Sequence, residues 1–148
     1  MKTTKVTVLD YDINWKNDFL KIKNELDQAL KNLALSIEHV GSTAVEGLAA
    51  KPIIDIDIVI ASTSDLNKVI EKLNQIGYIH EGNLGISDRE AFKYTGKEHL
   101  QTHHLYVCPK NSKELQRHIT FRDYLKSHPE AIKLYSQVKK EGARLFPD

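Results

Sequence analysis

The stretch His39-Val40-Gly41-Ser42-Thr43-Ala44-Val45-Glu46-Gly47-Leu48-Ala49-Ala50-Lys51-Pro52-Ile53-Ile54-Asp55-Ile56-Asp57-Ile58-Val59-Ile60 decides how this chain is read. It joins a turn of small residues, a Lys-Pro break and an apolar run interrupted at alternate positions by two acids. Side chains alternate faces along a strand, so Asp55 and Asp57 share one side and Ile54, Ile56 and Ile58 the other. Two carboxylates on one face of an otherwise apolar strand are costly unless water, a cation or basic partners compensate them. A divalent-metal site is the sharpest explanation, and an edge strand with one solvated face is the plain one. The upstream turn shifts the balance toward the metal. Ser42 lies thirteen positions before Asp55, and Gly41-Ser42-Thr43 offers unhindered backbone N–H groups and two hydroxyls, which suit a phosphate.

A Gly-Ser turn followed by a strand with two alternate acids resembles the signature of the nucleotidyltransferase superfamily. There the turn holds nucleotide phosphates and the acids hold magnesium. The closer resemblance is to the GrpB family, a group of that fold whose reaction is not established. It rests on Glu38 to Val45, on Gly47 to Ile56, on Arg89 with Phe92, on His104-Leu105-Tyr106-Val107, and on Arg117-His118 followed by Phe121-Arg122-Asp123-Tyr124-Leu125. The family usually has proline where this chain has Glu46 and a second histidine where it has Tyr106. Its members continue past a Phe-Pro-Asp like Phe146-Pro147-Asp148 into one more segment. Some are fused to a dephospho-coenzyme A kinase-like domain, which points toward nucleotide or cofactor metabolism.

Working outward, 148 residues suit one domain that buries roughly two-thirds of its unfolded surface. The 21 basic and 20 acidic residues leave a net charge of +1, so no global field draws the chain to nucleic acid or to a membrane. Cys108 is the only cysteine, which excludes a disulfide framework and a thiolate metal cluster; it reads as a small buried hydrophobe at a strand end. The start, Met-Lys-Thr-Thr-Lys-Val, has no signal-peptide core, and no run reaches membrane-spanning length, so a reducing cytoplasm is the expected location.

Residues 5 to 9 predict a short strand or an extended lead-in. Trp15, Phe19, Ile22, Leu26, Ala29, Leu30 and Leu33 then recur at helical steps, with Asn14 as the expected N-cap. Residues 34–40 and 53–60 read as strands flanking the turn, the second of them central. Leu66, Val69, Ile70, Leu73 and Ile76 mark a second helix, started by Ser62-Thr63-Ser64 and closed by Gly77. A strand begins at Tyr78, a loop with Gly82, Asn83 and Gly85 covers 81–90, and 91–94 with 102–107 predict a hairpin turning near Gly96. Ser112 caps a third helix with Leu115, Ile119 and Tyr124 or Leu125 inward. Pro129 starts a fourth with Ile132, Tyr135, Val138 and Leu145 inward. The expected fold is one α/β domain of the α+β kind over residues 1–148, a mixed or mostly antiparallel nucleotidyltransferase-like sheet flanked by about four helices.

In the superfamily a third acid from a neighbouring strand completes the metal pair, and the strand Thr102 to Val107 holds none. With Leu105 and Val107 inward, His104 and Tyr106 share the other face, so His104 stands where an acid is expected, as a neutral metal ligand, a general base or a structural histidine. His103 points the opposite way. Lys51 is placed to counter phosphate charge, Arg89 and Lys93 to clamp a polyphosphate beside the glycine loop, and His39 to orient an acid or satisfy the backbone. Arg117 and Arg122 suit solvent or salt bridges. A Ser42-His104-Asp55 hydrolase is disfavoured because Ser42 lacks the Gly-x-Ser-x-Gly elbow. The resulting expectation is a Mg²⁺-dependent protein, with Mn²⁺ as an alternative ion, that transfers a nucleotidyl group from a nucleoside triphosphate to a small acceptor. The rival is a non-catalytic module that binds a nucleotide or a phosphorylated small molecule. Expected partners are small molecules, with no nucleic acid or membrane, and the oligomeric state stays open.

Overall fold

The strand β2 (Ile54–Ile60) lies inside the sheet, paired antiparallel with β1 (Ser36–Val40) on one side and parallel with β5 (His103–Pro109) on the other. The computed structural model describes residues 7–145. Beyond β5 the sheet continues antiparallel through β4 (Glu90–Lys93) to β3 (Ile79–Gly82), giving the order β1-β2-β5-β4-β3. The sheet is therefore mixed, and β2 is an interior strand with a neighbour on each side, next to the edge strand β1. Four helices flank it: α1 (Asn14–Leu30), α2 (Leu66–Gln75), α3 (Lys113–Lys126) and α4 (Pro129–Leu145). None among the described residues is long and apolar enough to cross a membrane.

Alternation in β2 sorts the two layers. Ile54, Ile56, Ile58 and Ile60 are fully buried on one face with Trp15, Phe19, Ile22, Leu26 and Leu30 of α1 and with Val69 and Leu73 of α2. Burying each such aliphatic side chain is worth roughly 1.5–3 kcal/mol of transfer free energy, so this face anchors the fold. The opposite face carries Asp55, Asp57 and Val59. Val59 packs with Cys108 and with Leu115 of α3, while Leu125 joins Val45 and Leu48 beneath the α3–α4 corner. Cys108 is buried, and burial pushes its thiol up to about 12, as suits an inert packing residue.

Several local expectations need correction. Asp12, not Asn14, caps α1: its Oδ1 accepts the Asn14 N–H at 2.8 Å, an Asx turn two residues upstream. The lead-in shortens to one antiparallel bridge, Leu9 with Ala50; residues 5 and 6 and Phe146-Pro147-Asp148 lie outside the described residues. In α3 the inward residue is Leu125, and Tyr124 is exposed. In α4 only part of the expected stripe turns inward. Ile132 packs on Val45, Leu48 and Leu125, whereas Val138 is 61% exposed and Leu145 54%. Contacts of Ser136 with the Ala49 N–H and of Lys139 with Ser42 show why: the helix is docked through the 132–136–139 face onto the turn segment.

Candidate active site

The turn after β1 and the strand β2 meet as their residue types demand. Gly41 has φ +75°, a left-handed conformation that glycine adopts without strain. A Cβ added there would lie 2.4 Å from Asp55 Oδ2, so the backbone passes directly against the carboxylate. Ser42 to Ala44 then form one 3₁₀ turn. His39 supports this turn from the core side: its Nε2 lies 2.9 Å from Thr43 Oγ1, and its ring stacks on Phe19 at 4.7 Å between centroids. Burial pushes the His39 imidazole down to about 4, so it is neutral at physiological pH. Among the described residues its ring bonds to Thr43 and to neither Asp55 nor Asp57.

Asp55 and Asp57 share one face, as alternation requires, but their settings differ. Asp55 is half-buried and meets His104 Nδ1 at 3.0 Å. That hydrogen bond raises the His104 pKa, which favours imidazolium when only Asp55 faces the ring. Asp57 is fully buried, and its Oδ2 lies 2.6 Å from His118 Nδ1 on α3. The other ring nitrogen of His118 meets Glu114 Oε1 at 3.2 Å, one helical turn earlier. Burial pushes the Asp57 carboxyl up, while the hydrogen bond to Asp57 raises His118. Asp57 Oδ1 has no partner among the described residues.

Two further carboxylates are near but engaged. Glu38 is the Cα partner of Asp57 across the β1–β2 ladder, and Arg122 binds it at 3.0 Å while also donating to the His39 carbonyl. Glu114 is held by His118 and Arg117. Among the described residues no group of three His, Cys, Asp or Glu side chains is placed to hold a metal ion. The orphaned Asp57 oxygen and the half-buried Asp55 still fit a hard cation. Magnesium typically takes one or two carboxylates and keeps water or substrate oxygens for the rest.

Beside Asp55 opens a cavity of about 430 Å³, whose lining does not include the buried Asp57. Its polar lining is Ser42, Thr43, Lys51, Asp55, His104 and Lys139; its apolar lining is Val8, Ala50, Ile53, Gly142 and Ala143. Lys139 reaches across from α4 to donate to Ser42 Oγ. Burial lowers its pKa, against the charge of Asp55, and Lys51 on the same lining lowers it further.

The residues expected from sequence divide clearly. Ser42, Thr43, Lys51, Asp55 and His104 come together around the cavity and Gly41 lies against Asp55, while Asp57 is buried under His118 outside the lining. Tyr106 pairs with Asp57 in the β2–β5 register, and the Arg89 guanidinium lies over its ring at 4.3 Å, outside the cavity lining. Lys93 is exposed on β4 and does not line the cavity. His103 turns away as expected, buried against Tyr78 at 2.7 Å and stacked on Tyr94. Arg117 and Arg122 make salt bridges. His118, Glu114 and Lys139 went unassigned. The first two carried a signal, a Glu-His pair four apart on a predicted helix; Lys139, one of two adjacent lysines, carried none.

A family model described as GrpB protein matches residues 5–148. The chain is 37% identical over 147 residues to the Glutamate-rich protein GrpB of Alkalihalophilus pseudofirmus, covering 97% of this chain and 84% of that protein. It is 34% identical over 144 residues to the UPF0157 protein YqkA of Bacillus subtilis, where it spans 41% of the relative's length. A protein named Dephospho-CoA kinase from Mycolicibacterium paratuberculosis is 27% identical over 160 residues, and the match spans 39% of it. Among solved structures, conserved protein GrpB from Enterococcus faecalis superposes with a TM-score of 0.84 at 34% identity, covering 96% of this chain and 86% of that one. The Cid1 poly(U) polymerase with Mg 3′-dATP bound superposes with a TM-score of 0.61 at 14% identity, over 95% of this chain and 43% of that one. At that identity the likeness speaks for the nucleotidyltransferase-like fold alone.

Proposed function

The chain belongs to the GrpB family, and on that basis we propose that it is a Mg²⁺-dependent, nucleotidyltransferase-like protein that transfers a nucleotidyl group from a nucleoside triphosphate to a small acceptor in the cytoplasm. The observation that carries this reading is the Gly41 backbone lying against Asp55, on the same strand face as a buried Asp57 that has one oxygen left unpartnered. Asp55 and Asp57 would hold the cation, with Mn²⁺ as an alternative. When bound, such an ion neutralises charge on phosphate oxygens and helps activate the attacking oxygen. Lys51, Lys139 and the Ser42 hydroxyl bind the phosphates, and an anion between the two lysines relieves their mutual repulsion. His104, bonded to Asp55, holds a proton at the rim of the cavity and can donate to a phosphate oxygen. Arg89 on Tyr106 and Lys93 on β4 are basic groups available to a longer polyphosphate.

One observation favours the second reading, a nucleotide- or phosphometabolite-binding module without chemistry. Glu38 and Glu114, the carboxylates nearest to completing the acid pair, are occupied by Arg122 and His118. Calorimetric titration of wild type, Asp55→Asn and Asp57→Asn with nucleoside triphosphates, with and without Mg²⁺, separates the two when followed by assay for released pyrophosphate. An enzyme loses turnover in Asp57→Asn while keeping weak binding through the turn and the lysines. Metal-independent binding that improves in both variants, with no pyrophosphate from wild type over a panel of acceptors, leaves the binding module.

A further inference from the structure

Gly142 lies inside α4, three residues after Lys139, so the two share a helix face, and both line the cavity. Only proline is worse than glycine in a helix interior, so a glycine there asks for a reason. Two ordinary reasons fail. The glycines with left-handed φ are Gly41, Gly47, Gly77, Gly82, Gly85 and Gly96; Gly142 keeps a backbone open to any residue. A Cβ built at 142 meets no described atom within 4 Å, so packing does not demand glycine either. The space in front of residue 142 is the cavity itself. Helical Cβ atoms tilt toward the helix N-terminus, so a side chain at 142 would lean over the Lys139 turn, beside the group that reaches Ser42.

We infer that Gly142 leaves room for the nucleoside portion of a nucleoside triphosphate whose phosphates lie toward Lys139 and Ser42, which makes residue 142 a specificity-determining position and α4 a wall of the binding site. This rests on the reading of the cavity as a phosphate site, and it adds an organic subsite next to it. Ala50, Ile53 and Ala143 supply apolar surface for that portion, and Lys139 supplies the charge that anchors its phosphates.

The test titrates wild type, Gly142→Ala, Gly142→Leu and Lys139→Met calorimetrically with ATP, GTP, CTP, UTP and inorganic tripolyphosphate, all with Mg²⁺. Gly142→Leu should weaken the tightest nucleotide at least about tenfold more than it weakens tripolyphosphate, while Lys139→Met weakens both at least about tenfold. Gly142→Ala should raise the melting temperature by about 2–4 °C, because it improves helix propensity without filling packed space. Nucleotide binding unchanged in Gly142→Leu, equal weakening of both ligand types, or a lower melting temperature in Gly142→Ala would each overturn the inference. Wild type that binds tripolyphosphate but no nucleotide more tightly sinks the organic subsite and leaves the phosphate reading standing. Wild type that binds neither sinks both.

Discussion

The Cα of Gly41 is pressed against the carboxylate of Asp55: a methyl group at position 41 would sit 2.4 Å from Oδ2, at a backbone φ of +75° that side-chain-bearing residues rarely adopt. Gly41→Ala therefore combines a left-handed strain of roughly 1–2 kcal/mol with displacement of Asp55. Urea denaturation should show a loss of about 1–3 kcal/mol. Nucleotide titration should show a weakening larger than that of a distant variant of equal stability. An Ala variant as stable and as competent as wild type would mean that the turn and the acid are not coupled.

His118 is the only described side chain that meets the buried Asp57 carboxylate by hydrogen bond. His118→Ala strands that group, and removing one partner of a buried ion pair costs on the order of 3 kcal/mol. In the His118→Ala/Asp57→Asn double variant much of the loss should return, because no charge is left unpaired. Chemical denaturation at neutral pH of the two single variants and the double variant measures the coupling. Strict additivity would show that the pair is not a unit.

His39 makes acid the destabilising direction for its own site. Its folded pKa of about 4 lies below the unfolded 6.5, so between these values the unfolded chain binds more protons than the folded one. Stability is thus lost as pH falls from about 6.5 toward 4, with a ceiling of roughly 3 kcal/mol. His118, whose pKa is raised by Asp57, acts oppositely: its contribution is present below about 6.5 and is lost as pH rises through the raised value. Denaturation midpoints of wild type and His39→Gln from pH 4 to 7 should therefore converge toward acid. Parallel curves would show that His39 is not held neutral by its site.

The exposed stripe of α4 should tolerate change that its docked face does not. Val138→Lys, at a position 61% exposed, should shift stability by less than about 0.5 kcal/mol. Ile132→Ala removes packing on Val45, Leu48 and Leu125 and should cost about 1–2 kcal/mol, less than for a fully buried site. Thermal melts of the two variants check the register of the helix directly. A reversed order would restore the inward placement that periodicity predicts for Val138.

Much of the site is a consequence of local rules and was legible in the chain. Strand alternation puts Asp55 beside Asp57 and His104 opposite His103 whatever the rest of the molecule does. The positions of Leu105 and Val107 decide the register of β5, and small residues at 41–43 mark a turn able to approach a carboxylate. The interior place of β2 in the sheet followed from its long apolar run, whereas the parallel pairing with β5 that makes the sheet mixed did not. Partnerships across the fold were not legible. Asp57 is sealed by His118 because α3 crosses above β2, and Lys139 enters the cavity because α4 docks through Ile132 and Ser136 onto the segment after the turn. Helical periodicity names a candidate apolar stripe, but only the neighbour that receives the helix selects which face is buried. Val138 and Leu145 therefore stay in solvent while a lysine and a glycine face the cavity. Burial likewise belongs to tertiary structure: the same carboxylate that reads from sequence as one of an equivalent pair becomes, under α3, the enclosed and half-unsatisfied member of it.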